Sequence, residues 1–280
     1  MKIIATVLIV FCYSVGYSQN FKYFQTDRTI DWTKWAKKTV NDNIIKANYN
    51  NFKDLPYQNV DQLTNNKDLF HLIDVDKDGV PELIYNGYNG GEGEMIVVYK
   101  KQQEKYLEVQ RFYGQIKDIE SNTEGRMRFI VFEPSCCGGY IDYIETFVYN
   151  PQLKQFTVTN SVAKIDETVM PKTFMPPQKF EIENSYYNLR FSPDILSGLQ
   201  EGWYDFKPIK GQNIIATYQA GDEGDAYADS TDSTGRVWWF VIMNKEPNSG
   251  ETLFYQGRNS DKNYKLIGWI SSRYVKRIDE

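Results

Sequence analysis

Apolar residues recur along this chain at two different periods. Between residues 31 and 50, Trp32, Trp35, Ala36, Val40, Ile44, Ile45 and Ala47 follow helical spacing, and Asp31 stands where an N-cap belongs, so one amphipathic helix is expected there. Residues 51–67 are polar and rich in turn formers. From Phe70 the period shortens to that of strands. Segments 83–86, 95–100, 106–112, 127–133, 143–149 and 155–159, separated by Gly, Asn, Asp or Pro, predict an antiparallel β meander following the helix. The expected fold class is mainly β (α+β).

The two ends and the composition narrow the setting. Residues 1–18 combine Lys2, an apolar core over 3–15, and Gly16 and Ser18 at the −3 and −1 positions before Gln19, the pattern of a secretory signal peptide. Phe11 precedes Cys12 where a lipid-attachment box takes a small residue, so a lipoprotein is disfavoured and a periplasmic or secreted protein is expected. No other run is long and apolar enough for a transmembrane segment. With 32 Lys and Arg against 37 Asp and Glu, no basic cluster stands out, which excludes a nucleic-acid partner. An aromatic content of 15%, including 21 tyrosines, suits β-rich exported domains.

The densest chemistry lies at Asp74-Val75-Asp76-Lys77-Asp78-Gly79-Val80-Pro81-Glu82. Calcium takes oxygen ligands from loop positions 1, 3 and 5, a carbonyl at 7 and an acid at 9, with glycine at 6 for the sharp turn. Here these are Asp74, Asp76, Asp78, the carbonyl of Val80, Glu82 and Gly79. Position 12 is Tyr85 rather than a bidentate Glu, and the flanks Phe70-His71-Leu72-Ile73 and Leu83-Ile84-Tyr85 are strand-like, so the loop joins two strands and is no EF-hand. A solvated acidic turn is the competing reading. The run DVDKDGVPELI resembles the calcium loop of FG-GAP/VCBS (integrin-like) repeats, which implies Ca2+ in a structural role between strands of an extracellular protein. The motif occurs once, without a period of blade length, so no propeller is expected. The glycine-rich stretch 87–94 lacks the lysine and helix of a phosphate cradle.

Prolines clustered over 170–177 read as a linker. This divides the chain into a signal peptide (1–18), a β-rich calcium-loop domain (19–169), a Pro-rich linker (170–184) and a C-terminal domain (185–280). The last contains, in order, Asn188-Leu189-Arg190-Phe191-Ser192-Pro193, the turn Gly221-Asp222, Trp238-Trp239-Phe240-Val241 and Gly268-Trp269-Ile270-Ser271-Ser272-Arg273-Tyr274-Val275. These resemble the bacterial SH3 (SH3b) family, implying an SH3-like β-barrel and a cell-wall peptide or glycan, or a protein, as ligand. Trp238, Trp239, Trp269 and Tyr274 are the candidate ligand-binding aromatics; each tryptophan also has a core-filling reading, and Trp238 and Trp239 must face opposite ways on a strand.

Adjacent Cys136 and Cys137 admit a vicinal disulfide, a reactive thiol, soft-metal ligation or simple packing at a glycine turn, and no His or third Cys completes a zinc set. The single histidine, His71, sits in an apolar run without a nucleophile partner, and no G-x-S-x-G or zinc helix is present. The sequence therefore reads as no enzyme but an exported calcium-binding protein with an SH3-like binding module. The alternative is a periplasmic inhibitor or immunity protein acting on a toxin or wall hydrolase.

Overall fold

The computed structural model describes residues 22–25, 30–36, 38–91, 93–121, 125–135, 140–195, 213–247 and 263–278. Residues 1–18, expected as a signal peptide, and Cys136 and Cys137 lie outside the described residues. The chain forms two compact units. One, the loop unit, takes Asp27–Cys137 and Ile144–Asn160; the other, the C-terminal unit, takes Met1–Thr26, Gly138–Tyr143 and Ser161–Glu280.

In the loop unit the single helix expected over 31–50 is broken. Asp31 does cap, its Oδ1 accepting from Thr33 N at 3.2 Å, but only one 3-10 turn follows, Trp32–Lys34. Lys38 then leaves helical geometry to bridge Leu72, and Asn41 starts a second helix, Asp42–Asn48, by accepting from Ile44 N at 3.1 Å. The reason is a division of labour. Trp32, Trp35 and Ala36 pack against one core, Ile44 and Ile45 against another, and one straight helix cannot serve both.

Those cores lie on opposite faces of an antiparallel four-stranded sheet of β1 (Phe70–Ile73), β2 (Glu82–Tyr88), β3 (Glu94–Gln102) and β4 (Lys105–Tyr113). Alternation sends Leu83, Tyr85, Val97 and Tyr99 to the helical side, where Phe52, Leu55 and Leu63 cover them. Ile84, Ile96, Val98 and Phe112 face the other way, onto β5 (Gln115–Ser121), β6 (Met127–Glu133) and the parts of β7 (Ile141–Asn150) and β8 (Gln155–Ile165) that belong to this unit. Phe129 stacks on Phe156 at 4.3 Å and Phe112 lies 4.5 Å from Phe147. Each such buried ring contributes about 2–3 kcal/mol by removal from water. Strand β5 is absent from the sequence reading because a bulge between Ile116 and Asp118 puts its two core residues, Ile116 and Ile119, three apart rather than two.

The C-terminal unit adds β9 (Gln178–Ile182), β10 (Tyr187–Arg190), β11 (Ile214–Tyr218), β12 (Glu223–Thr231), β13 (Val237–Met243), β14 (Lys265–Ser271) and β15 (Val275–Arg277). They hydrogen-bond in the order β15-β9-β12-β13-β14-β10-β11, antiparallel throughout, while β14 also runs parallel to β8 at Lys265–Val162 and Leu266–Ala163. No pairing joins β11 to β15 among the described residues, so the strands do not close into a barrel there. Residues 170–177, expected as a linker, are packed: Met175 N donates to Tyr227 O at 2.7 Å, Met170 and Phe174 cover a buried cluster, and 178–182 form β9. Proline forbids helix and inner strand, yet allows an extended strap to seat apolar side chains on a core.

The glycine of the closing motif has a steric reason. A Cβ on Gly268 would lie 2.8 Å from the Arg190 carbonyl oxygen and 2.9 Å from Leu189 Cγ, where β10 crosses onto β14. Gly268→Ala is expected to cost about 1–3 kcal/mol through overpacking, read as a lowered melting temperature; an unchanged melt would contradict this close approach.

Candidate functional site

Ile73 and Glu82 are paired residues of β1 and β2, so the acidic residues 74–81 form a strand-to-strand connection. The backbone turns through left-handed positions at Lys77 (φ 61°) and Gly79 (φ 88°), the second being the place where the motif has its glycine. Three aspartates fold inward onto their own loop. Asp76 Oδ1 accepts from Asp78 N at 3.2 Å, Asp74 Oδ2 from Gly79 N at 3.1 Å, and Asp78 Oδ1 from Val80 N at 2.8 Å. Glu82 reaches back to Val75 N at 2.9 Å.

The result gathers one oxygen each of Asp74, Asp76 and Asp78 within 4.8 Å of one another, an arrangement that could hold a metal ion. Asp74 Oδ1 is buried and has no hydrogen-bond partner. Glu82 is outside this trio, and the amide of Val80, whose carbonyl the spacing nominates, is tied to Asp78. What the sequence reading missed is Lys100. Its ammonium bonds Asp76, lies 3.3 Å from Asp78 Oδ2, and approaches Glu82 Oε1 at 3.6 Å. The register explains it: Leu83 pairs with Tyr99, which brings the next residue of β3 alongside Glu82. Only strand pairing could reveal this, since 18 residues separate the two positions in sequence.

The electrostatics follow the crowding. Hydrogen bonding to Asp76 holds the Lys100 ammonium above its usual range. Burial pushes Glu82 up to about 7, aided by the negative charge of Asp76 and resisted by the Val75 amide and Lys100. The amide of Val80 keeps Asp78 below the usual carboxylate range.

The candidate aromatics of the C-terminal unit are placed differently from one another. Trp238 and Trp239 do face opposite sides of β13, but each side is covered: Trp238 is 1% exposed, Trp239 5% and Trp269 2%. Trp238 Nε1 donates to Asp232 Oδ2 at 2.9 Å and Trp269 Nε1 to Val169 O at 2.6 Å. Asp232 also accepts from Thr234 N, Thr234 Oγ1 and Arg236 N, organising the β12–β13 hairpin, and these bonds hold its carboxyl well below the usual range. Only Tyr274 is open, at 49%. Tyr274 and Trp238 nonetheless share a groove of about 200 Å³ with Arg190, Arg236 and Arg273.

No family model, curated protein or solved structure matches this chain. No helix among the described residues is long and apolar enough to cross a membrane.

His71 is buried in β1, its ring stacked on Trp32 at 3.5 Å and 8°. Burial lowers its pKa to about 4 from 6.5. Between those values the unfolded chain binds the proton more readily, so stability falls as pH falls. Glu82, raised to about 7 from 4.5, acts oppositely over much of the same interval, so His71 must be read by difference. Between pH 7 and 5 the wild type is expected to lose about 2 kcal/mol more than His71→Phe in denaturant titrations. Equal losses would show that His71 is not held neutral.

Proposed function

We propose that this protein is an exported, non-catalytic binding protein whose loop unit is stiffened by calcium and whose C-terminal unit, an SH3-like module, contacts cell-wall peptide or glycan, or a protein. The observation that carries the calcium reading is the cluster of Asp74, Asp76 and Asp78 oxygens with Asp74 Oδ1 buried and unpartnered. Oxygen-only donors on a glycine turn suit a hard cation, with Val80 and Glu82 completing the set. The ion would supply divalent positive charge where carboxylates repel one another by up to about 3 kcal/mol per pair before solvent screening.

Lys100 favours a second reading, in which its ammonium is the resident counter-ion and no metal enters. One ammonium leaves most of the charge of four carboxylates uncompensated, which supports calcium. The C-terminal reading is supported by short antiparallel strands and by the packed Gly268-Trp269 pair. Retention on purified sacculi favours a wall ligand; capture of one stoichiometric protein from the producing envelope favours the inhibitor or immunity role.

With a dissociation constant near 0.1 mM, as for extracellular calcium modules, 5 mM calcium adds about 2 kcal/mol, or roughly 5 °C in melting temperature relative to EDTA. Lys100→Met should melt lower in EDTA and show a larger calcium shift, because the ammonium no longer competes. Should calcium leave the wild-type melt where EDTA puts it, with Lys100→Met low in both, the counter-ion reading stands and calcium falls.

A further inference from the structure

The groove in the C-terminal unit gathers three cationic side chains. Arg190 ends β10, Arg236 precedes β13 and Arg273 lies in the 3-10 turn Ser272–Tyr274, so three separate elements contribute. Among the described residues none of these guanidiniums makes an ion pair, and Arg236 Nε is buried without a hydrogen-bond acceptor. Arg190 and Arg236 both lie over the Trp238 ring, at 6.0 and 5.6 Å from its centroid. Desolvation, followed by the charge of Arg236, lowers the pKa of Arg190; Asp194 is the weakest influence on it. Asp232, bonded to the Trp238 indole, spends its oxygens on that N–H, the hairpin amides and Thr234.

Arg190 and Arg236 are half-buried and Arg273 is exposed, and holding two like charges over one indole carries a repulsive cost that a bound anion would remove. Guanidinium is the group best shaped to grip a planar or tetrahedral oxyanion through paired N–H donors, and an aromatic face beside it favours the cation. Tyr187, held by its hydroxyl's bond to the Ser271 carbonyl, and Tyr274, edge-on to it at 6.2 Å, supply an aromatic wall. About 200 Å³ is below the usual size of a site for a drug-sized molecule, so the groove has room for one small charged group and a short stem.

We infer that this groove is an oxyanion-binding site, in which Arg190, Arg236 and Arg273 hold a carboxylate or phosphate group and Trp238 and Tyr274 cover the stem that carries it. This deepens the binding-protein reading by naming the chemistry its ligand must present, and it is independent of calcium.

The test is a titration of the full mature chain, followed by tryptophan fluorescence and calorimetry, with inorganic phosphate, with N-acetyl-alanyl-alanine and with the C-terminal amide of that peptide. Saturable one-to-one binding of phosphate or the free-acid peptide is expected, weakening with salt. The amide should not bind. Whichever acid binds more tightly identifies the source as phosphate or peptide carboxylate. Arg190→Gln and Arg236→Gln should each weaken binding about tenfold to hundredfold, the loss expected for a hydrogen bond to a charged group. Neither should lower the melting temperature, because each relieves a like-charge contact, whereas a purely structural arginine would lower it. Absence of saturable binding by both acids, or equal binding of the amide, or unchanged affinity in both variants, overturns the site. If a variant fails to fold, a wild-type melt that 20 mM phosphate or peptide leaves unmoved overturns it equally. Titrations run in EDTA and in calcium keep this outcome separate from that of the loop.

Discussion

Four like charges on one hairpin connection repel unless positive charge meets them, and the fold of the loop unit supplies one ammonium there. Hydrogen bonds from the Asp78, Gly79 and Val80 amides gather Asp76, Asp74 and Asp78 together, while the Val75 amide holds Glu82 outside that trio. Lys100 reaches in from β3 to touch three of them. The strand pairing that delivers Lys100 is the same pairing that buries Ile84 and Ile96 between the two sheets, so the site and the core share one register. A one-residue slip of β3 would turn its apolar residues to the wrong faces and carry the lysine away from the acids.

The C-terminal unit meets a related constraint by other means. Strand β13 is covered on both faces, with Trp239, Val241 and Met243 in one core and Trp238, Phe240 and Ile242 in another. Both tryptophans of the adjacent pair are therefore packed, and each indole N–H near the chain's interior needs an acceptor when it leaves water. Trp238 finds the Asp232 carboxylate and Trp269 the Val169 carbonyl. Arg190, Arg236 and Arg273 line the groove beside Trp238, and none of them is ion-paired among the described residues.

Local features were legible in the sequence where their cause is local. The aspartate spacing and Gly79 foretold a turn with inward carboxylates, and the strands from Glu82 to Tyr113 followed from alternation. Legibility ended where partners are distant. Lys100 joins the acids through register alone, β5 hides its period behind a bulge, and the helix expected over 31–50 yields to two cores on opposite faces. The Pro-rich stretch was read from what proline forbids, while Met170 and Phe174 within it have apolar surface to bury. The arginines of the groove stood in quoted motifs, but nothing in their spacing announced that three elements would bring them together.

Calcium stiffening of the loop unit requires a cation to enter the acidic connection between β1 and β2. Isothermal calorimetry of calcium into the metal-free protein tests it most directly. One saturable site per chain, lost in Asp74→Asn while the fold persists by circular dichroism, is the predicted result. A flat titration at millimolar calcium, or binding that survives Asp74→Asn unchanged, contradicts it.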